Sequence, residues 1–362
     1  MRIAVANDTV YPFSKGGAQK RVYEISRRLV RRGHELHWYG MDYGATELEG
    51  IRLHAVCPNY KMYTREGRRI VTQALRFGIK LNVREPVDII DCMNFPYLHC
   101  FRAKLSARKQ DVPLVITWFE FWGKYWHEYI WYLGWAGALL EKYITTLPDM
   151  IIADSEKVCK QLTGAGVRDR KIRIVPDGVD LELIKSVEPS REKYDVVFVG
   201  RILAHKHLDI LLKAMQGTNA SLAVIGDGEN RKKCEELSGI LGQGKQVKFL
   251  GRVEQDTDVY AIMKSAKVLV LPSTQEGHPL VIPEAFACGV PVVGIKEVCN
   301  EFIRYGVTGY LSNLHEDSLR KFIIRALEMY PRMRANCLAE AEQYDWDRIT
   351  DKVEAVYREA LS

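Results

Sequence analysis

Short apolar, β-branched runs alternate with helical stretches along this chain, and that alternation most restricts what it can fold into. In the first half the runs lie at residues 2–6, 35–40, 51–56, 88–93, 113–118, 150–155 and 172–175, with helical patterns between most of them. In the second half "DVVFVG" (195–200), "LAVIG" (222–226), "VKFLG" (247–251), "VLVL" (268–271) and "PVVGI" (291–295) repeat the theme. Apolar strands separated by helices predict an α/β protein with parallel, doubly wound sheets.

At roughly 150 residues per domain, 362 residues suggest two domains, and 47% hydrophobic content is enough for two packed cores. The segment "LELIKSVEPSREKY" (181–194) is polar, contains a proline and lacks strong periodicity, so it is expected to be the linker. This predicts one domain over 1–183 and another over 194–344. Eight cysteines without C-x-x-C spacing read as buried, reduced thiols, which implies a reducing compartment. The chain opens on a strand and not on a basic segment with a long apolar run, so no secretory signal is expected and the location should be cytoplasmic. The longest uncharged apolar run, 129–140, is short of the ~20 residues a membrane-crossing helix needs.

The candidate chemistry centres on "PSTQEGHPLVIPEAFACGVPVV" (272–293), where Glu276 and Glu284 stand eight positions apart in a loop that opens a short helix. Such a loop lies at the carboxyl end of a strand, where open α/β sheets bind ligands. Pro283 suits a first helical turn and directs attention to open N–H groups between Leu280 and Ala285, a place that attracts phosphate. Ionised carboxylates beside an anion site make sense if they accept hydrogen bonds from vicinal hydroxyls, and a sugar nucleotide has both parts. The bland alternative makes Glu284 a helix-capping residue and Glu276 a solvated one. Arg201 follows the strand that ends at Gly200, and Lys206 comes five residues later. A guanidinium fork and a flexible ammonium there suit a diphosphate leaving group. Glycines ending the next two strands, Gly226 and Gly251, would let a backbone approach a base or ribose.

These residues carry a resemblance. With "KGGAQKRVYEISRRLVRRGHEL" near the start, "KIRIVPDGVD", "VGR", "GDGE", "FLGRV" and the E-x(7)-E segment in order, the chain resembles the retaining, nucleotide-sugar-dependent glycosyltransferases of family four. The resemblance implies the GT-B architecture: two Rossmann-like domains facing a central cleft, with a C-terminal helix, about 345–362, crossing back to complete the first. It implies that Arg201 and Lys206 hold the donor diphosphate and Glu284 the ribose. Glu276 and the backbone at His278, Pro279 and Leu280 would hold the hexose. Gly16 and Gly17 would approach the phosphates from the first domain, and Gly226 and Val253 would lie near the nucleoside. The implied reaction moves a hexose from a donor such as a UDP- or GDP-sugar to a glycan or lipid-linked acceptor in surface polysaccharide, glycolipid or protein-glycan assembly. It needs no cofactor and no metal: the two cations and the helix start stabilise the leaving diphosphate, which itself takes the acceptor's proton.

Two departures bear on the chemistry. Where many relatives have a histidine in T-x-H, this chain has Phe119 followed by Glu120, and where another histidine often follows the preceding strand it has Asp91. Any acid/base or hexose-orienting role then moves to a neighbour such as Glu120 or is dispensable. A sugar-nucleotide epimerase of the same fold and a donor-binding protein without catalysis are the alternatives. A nicotinamide dehydrogenase is disfavoured, because no G-x-G-x-x-G follows the first strand. The D-x-D at Asp345 and Asp347 reads as helix capping, and His205 and His207 read as helix-start residues, neither as metal ligands.

Charge is unevenly shared. Residues 1–110 hold 20 Lys/Arg against 10 Asp/Glu, a net of +10, leaving −4 for the rest. A helix over 18–32 is expected to put Val22, Ile25, Leu29 and Val30 on one arc and Lys20, Arg27, Arg28 and Arg31 opposite. A second, over 61–81, would expose Lys61, Arg65, Arg68, Arg69, Arg76 and Lys80. Solvated helix faces are the plain account, and an anionic membrane surface fits two such helices in one domain. Nucleic acid fits poorly, since no recognition module accompanies the charge. In the tryptophan-rich stretch 117–135, Trp118, Phe121 and Trp122 are candidates for an acceptor platform, with Trp131 and Trp135 read as core.

Overall fold

The computed structural model describes residues 1–14, 16–61, 70–127, 132 and 134–362. It divides into two compact units, Met1–Asp177 with Trp346–Ser362, and Gly178–Asp345.

The first unit holds β1 (Arg2–Ala6), β2 (Glu35–Asp42), β3 (Glu47–Leu48), β4 (Ile51–Pro58), β5 (Ile89–Met93), β6 (Leu114–Trp118), β7 (Met150–Ala153) and β8 (Ile172–Ile174). Their order in the sheet is β3-β4-β2-β1-β5-β6-β7-β8, parallel except where the short β3 meets β4. The second unit holds β9 (Tyr194–Val199), β10 (Leu222–Ile225), β11 (Val247–Gly251), β12 (Ala266–Leu271), β13 (Val292–Ile295) and β14 (Gly309–Ser312), ordered β11-β10-β9-β12-β13-β14. Both are Rossmann-like: strand order reverses beside the first strand of each unit, between β1 and β5 and between β9 and β12.

Side chains alternate between the two faces of a strand, so each sheet feeds two cores. Ala4 and Ala6 pack with Phe77 and Ala103 on one face of the first sheet. Ile3 and Val5 pack on the other with Leu29 from the helix Gly17–Arg31 and Ile349, Val353 and Tyr357 from the helix Trp346–Leu361. The last helix therefore belongs to the first unit, where each fully buried large side chain contributes about 1.5–3 kcal/mol.

That docking changes the reading of the first basic helix. Arg28 is buried and pairs with Glu24 and Asp347, Arg27 pairs with Glu24, and Arg32 pairs with Asp351 and Glu354. Of the cations expected to face solvent, Arg28 is thus covered by the last helix, while Arg31 stays exposed. Of the second basic stretch, Arg65, Arg68 and Arg69 lie outside the described residues, Lys61 precedes the helix Val71–Lys80, and that helix carries Arg76 and Lys80.

The stretch expected to be a linker is partly folded. Asp180 accepts a hydrogen bond from the Leu183 amide and caps the helix Leu181–Ser186, whose Leu181 and Ile184 are buried in the second unit's core. Two apolar residues three apart suffice to dock one helical turn, yet they are too few to show as periodicity. The eight cysteines are all free thiols. Among the described residues no helix is long and apolar enough to cross a membrane.

Candidate functional site

The carboxyl ends of β9 and β12 lie side by side at the second unit's reversal point, and the loops leaving them are tied together. The Thr274 amide donates to the His205 carbonyl at 3.0 Å, and the Thr274 hydroxyl lies 3.1 Å from Nε2 of His207. His207 takes up a left-handed conformation (φ 46°), which ends the turn Ala204–Lys206 and starts the helix Leu208–Met215. This geometry brings Lys206 Nζ onto the Glu276 carboxylate, an ion pair between residues 70 apart in sequence, with the two side chains 16% and 14% exposed. Arg201 is exposed at the same edge, and among the described residues no carboxylate pairs with it. His205 beside them has its pKa lowered, first by burial and then by the Lys206 charge.

Glu284 sits in the helix Val281–Ala287, half-buried, and accepts a hydrogen bond from the Tyr260 hydroxyl at 3.2 Å. Burial and the Glu284 charge push the Tyr260 phenol well above its usual range, so it stays a donor. The His278 ring packs 4.9 Å from Phe302 and 6.4 Å from Tyr344, and Pro279 is buried, so the backbone entering this helix is held from its apolar side. The expected row of open amides is shorter than the sequence suggests. Leu280, Ile282 and Glu284 already donate to the carbonyls of His278, Pro279 and Leu280.

Gly226 has a structural reason of its own. Its φ is +138°, and a Cβ there would lie 1.9 Å from the Gly200 carbonyl oxygen, so the protein's own backbone demands this glycine. Val253 packs, half-buried, on the second unit's core.

In the first unit, Gly16 and Gly17 are exposed at the start of the helix Gly17–Arg31. Gly16 is extended, and a Cβ there would meet only the flexible Gln19 side chain. Glu120 is exposed after β6 and accepts from the Trp122 indole at 2.8 Å, while its carbonyl accepts from Asn94 at 3.2 Å. The aromatic stretch divides differently from expectation. Trp118 is fully buried core, Trp135 is 58% exposed, and Trp131 lies outside the described residues. Phe121 and Trp122 remain half-buried on the core, with Trp122 4.9 Å from Trp126.

Sequence reasoning missed the group that organises this stretch. The buried Glu141 carboxylate accepts from the Trp122 and Gly123 amides, the Trp126 indole and the Tyr97 hydroxyl. Burial pushes its pKa up while these donors pull it down. Its signal was a lone acid at the end of an apolar run. Also missed was the buried Arg21–Asp177 pair at 2.7 Å, whose guanidinium additionally donates to the carbonyls of Val175 and Pro176. Asp91 is buried too, accepts from the Tyr357 hydroxyl at 2.5 Å, and burial pushes it up to about 6.

Comparison with known proteins completes the picture. Residues 15–183 match the model "Glycosyltransferase Family 4" and residues 180–344 match "Glycosyl transferases group 1". An uncharacterized glycosyltransferase of Methanocaldococcus jannaschii is 26% identical over 356 residues, covering 96% of each chain. Among solved structures, sucrose-phosphate synthase from Thermosynechococcus elongatus superposes with a TM-score of 0.81 at 20% identity, covering 99% of this chain and 98% of that one. The Anabaena HepE protein in complex with UDP gives 0.77 at 19% identity, covering 99% of this chain and 100% of that one. Two family models that between them span nearly the whole chain, on two Rossmann-like units, make this protein a glycosyltransferase of family four with the GT-B fold.

Proposed function

We propose that this protein transfers a hexose, with retention of configuration and without a metal ion, from a nucleotide-sugar to a glycan or lipid-linked acceptor. The observation that carries the reading is the half-buried Lys206–Glu276 pair beside Arg201 at the reversal point of the second unit. Binding of UDP by the similarly folded Anabaena protein supports a nucleoside diphosphate as the ligand.

In this reading the donor pyrophosphate lies against Arg201 and Lys206 and competes with Glu276 for the ammonium. Glu276, released from its partner, accepts from hexose hydroxyls together with the backbone at His278 to Leu280, and Glu284 accepts from the ribose. Gly226 and Val253 flank the nucleoside. Gly16 and Gly17 approach the phosphates, and Glu120 orients the hexose in place of the absent histidine. As the C1–O bond stretches, negative charge grows on the pyrophosphate, where fixed cations act more strongly than on the ground state. With several helix-start amides used internally, the two side-chain cations carry most of that stabilisation. The departing phosphate oxygen takes the acceptor's proton as the acceptor attacks from the same face.

Thermal-shift measurements with UDP, GDP and ADP test the donor site. A bound nucleotide at 100 times its Kd adds about 2.7 kcal/mol of stability. The shift should vanish in Arg201→Ala and Glu284→Ala; a shift unchanged in both variants overturns the placement. Product analysis with donor alone separates transfer from epimerisation, since an epimerase converts the sugar without an acceptor.

A peripheral membrane location is the second reading, favoured by one observation. Trp135, Leu139 and Tyr143 repeat every four residues on the helix Gly134–Ile144 and are 57–59% exposed, while Leu75 and Ile79 are exposed on the helix that carries Arg76 and Lys80. Apolar stripes with nearby cations suit an anionic lipid surface. Salt-sensitive sedimentation with phosphatidylserine vesicles, reduced in Trp135→Ser, is the expected result; no sedimentation at low salt removes the reading.

A further inference from the structure

Three soft or borderline metal donors meet in the first unit, none of them a residue assigned above to donor binding. Cys92 lies in β5, and His99 and Cys100 open the helix Leu98–Gln110. All three are at most 1% exposed. Their sulfurs and one imidazole nitrogen lie within 4.8 Å of one another, and the two sulfurs are 3.9 Å apart.

That sulfur spacing is informative. Two thiolates on one tetrahedral zinc, at Zn–S of about 2.3 Å, stand about 3.8 Å apart, whereas a disulfide would require the sulfurs to close to about 2.05 Å. The imidazole converging on the same point separates this cluster from an ordinary buried thiol pair. Charge agrees: one Zn²⁺, two thiolates and a neutral imidazole sum to zero, so the filled site brings no net charge into an apolar interior. Without a cation, burial and the neighbouring sulfur push the Cys92 thiol well above its usual range, and the Cys100 thiol lies 3.5 Å from the Met93 carbonyl.

We propose that Cys92, His99 and Cys100 supply three ligands of a zinc site that fastens β5 to the helix following it. The clasp spans residues 93–98, including Asn94, which donates to the Glu120 carbonyl. The site supports this loop and takes no part in glycosyl transfer, so it stands or falls independently of the donor reading.

Elemental analysis of untagged protein, produced with zinc supplementation and purified without chelator, tests the site. About one zinc per chain is expected. Cys92→Ser, Cys100→Ser and His99→Phe should lose the metal, His99→Cys should keep it because a third thiolate is an equally good ligand, and Cys234→Ser in the second unit should leave it unchanged. Replacing zinc by cobalt in the wild-type chain should give thiolate-to-cobalt charge-transfer absorption, a signature that does not depend on any variant folding. Metal-free wild-type protein that takes up neither zinc nor cobalt overturns the proposal. If such protein yields all eight thiols on denaturation, the cluster is a hydrogen-bonded thiol pair; two fewer would make it a disulfide.

Discussion

Two ion pairs, one in each unit, differ in the property that matters for function. Arg21–Asp177 in the first unit is sealed, with side chains 2% and 6% exposed, and the guanidinium is further committed to two backbone carbonyls. Lys206–Glu276 in the second unit is reachable, with side chains 16% and 14% exposed, and joins two loops. Lys206–Glu276 stands at its unit's strand reversal, whereas Asp177 follows β8 at the edge of the first sheet. A sealed pair fixes one arrangement of the chain, whereas a reachable one is able to exchange its partner for a ligand.

The sharpest way to break this contrast is to remove one cation from each pair. Arg21→Met leaves Asp177 and two carbonyls without their donor in an interior site, and loss of one partner of a buried pair costs about 3–5 kcal/mol. Urea unfolding should show a loss of that order. Lys206→Ala should behave the other way round: a smaller loss of stability than Arg21→Met, because its pair is 16% and 14% exposed and water can reach the remaining carboxylate, but transfer reduced about 10²–10³-fold, the effect of deleting a fixed group that stabilises transition-state charge. A Lys206→Ala protein that unfolds as readily as Arg21→Met while keeping its nucleotide shift would make both pairs structural and end the distinction.

How far this contrast was visible beforehand follows from the range over which each interaction acts. The strands were legible because parallel strands buried on both faces, such as β9 and β12, read as unbroken apolar runs. Arg201, Lys206, Glu276 and Glu284 were legible as types near strand ends. The partnership of Lys206 with Glu276 was not, since it arises only when β9 and β12 pair. Nor was the reason for Gly226, which answers to the Gly200 carbonyl across two strands. Arg28 read as solvated because its partner Asp347 lies 319 residues away. Leu181 and Ile184 read as linker because a single helical turn carries no period. Local pattern therefore reveals elements and candidate chemistry, while pairings between distant segments come only with the fold.

A subtler test lies beside the sealed pair. Asp154 is buried, accepts from the Ser155 hydroxyl at 2.9 Å, and faces Asp177, Arg21 and Glu120. Burial is the main cause, and the Asp177 charge the next, that pushes its carboxyl well above the ordinary value of 3.8; Ser155 and Arg21 act in the opposite sense. An acid with a raised folded-state pKa binds its proton more tightly in the native chain than in the unfolded one. Its contribution to stability is therefore complete below the unfolded value and is lost as pH rises through the folded one. Asp154→Asn cannot ionise, so its stability relative to wild type should increase as pH is raised from below 4, measured by urea midpoints at stepped pH. In Arg21→Met the carboxyl loses the Arg21 charge that restrains its shift, so the same pH dependence should extend further upward. A flat difference between Asp154→Asn and wild type across this range would mean that the interior around Arg21 is wetter than its burial implies, and the contrast between the sealed and the reachable pair would narrow accordingly.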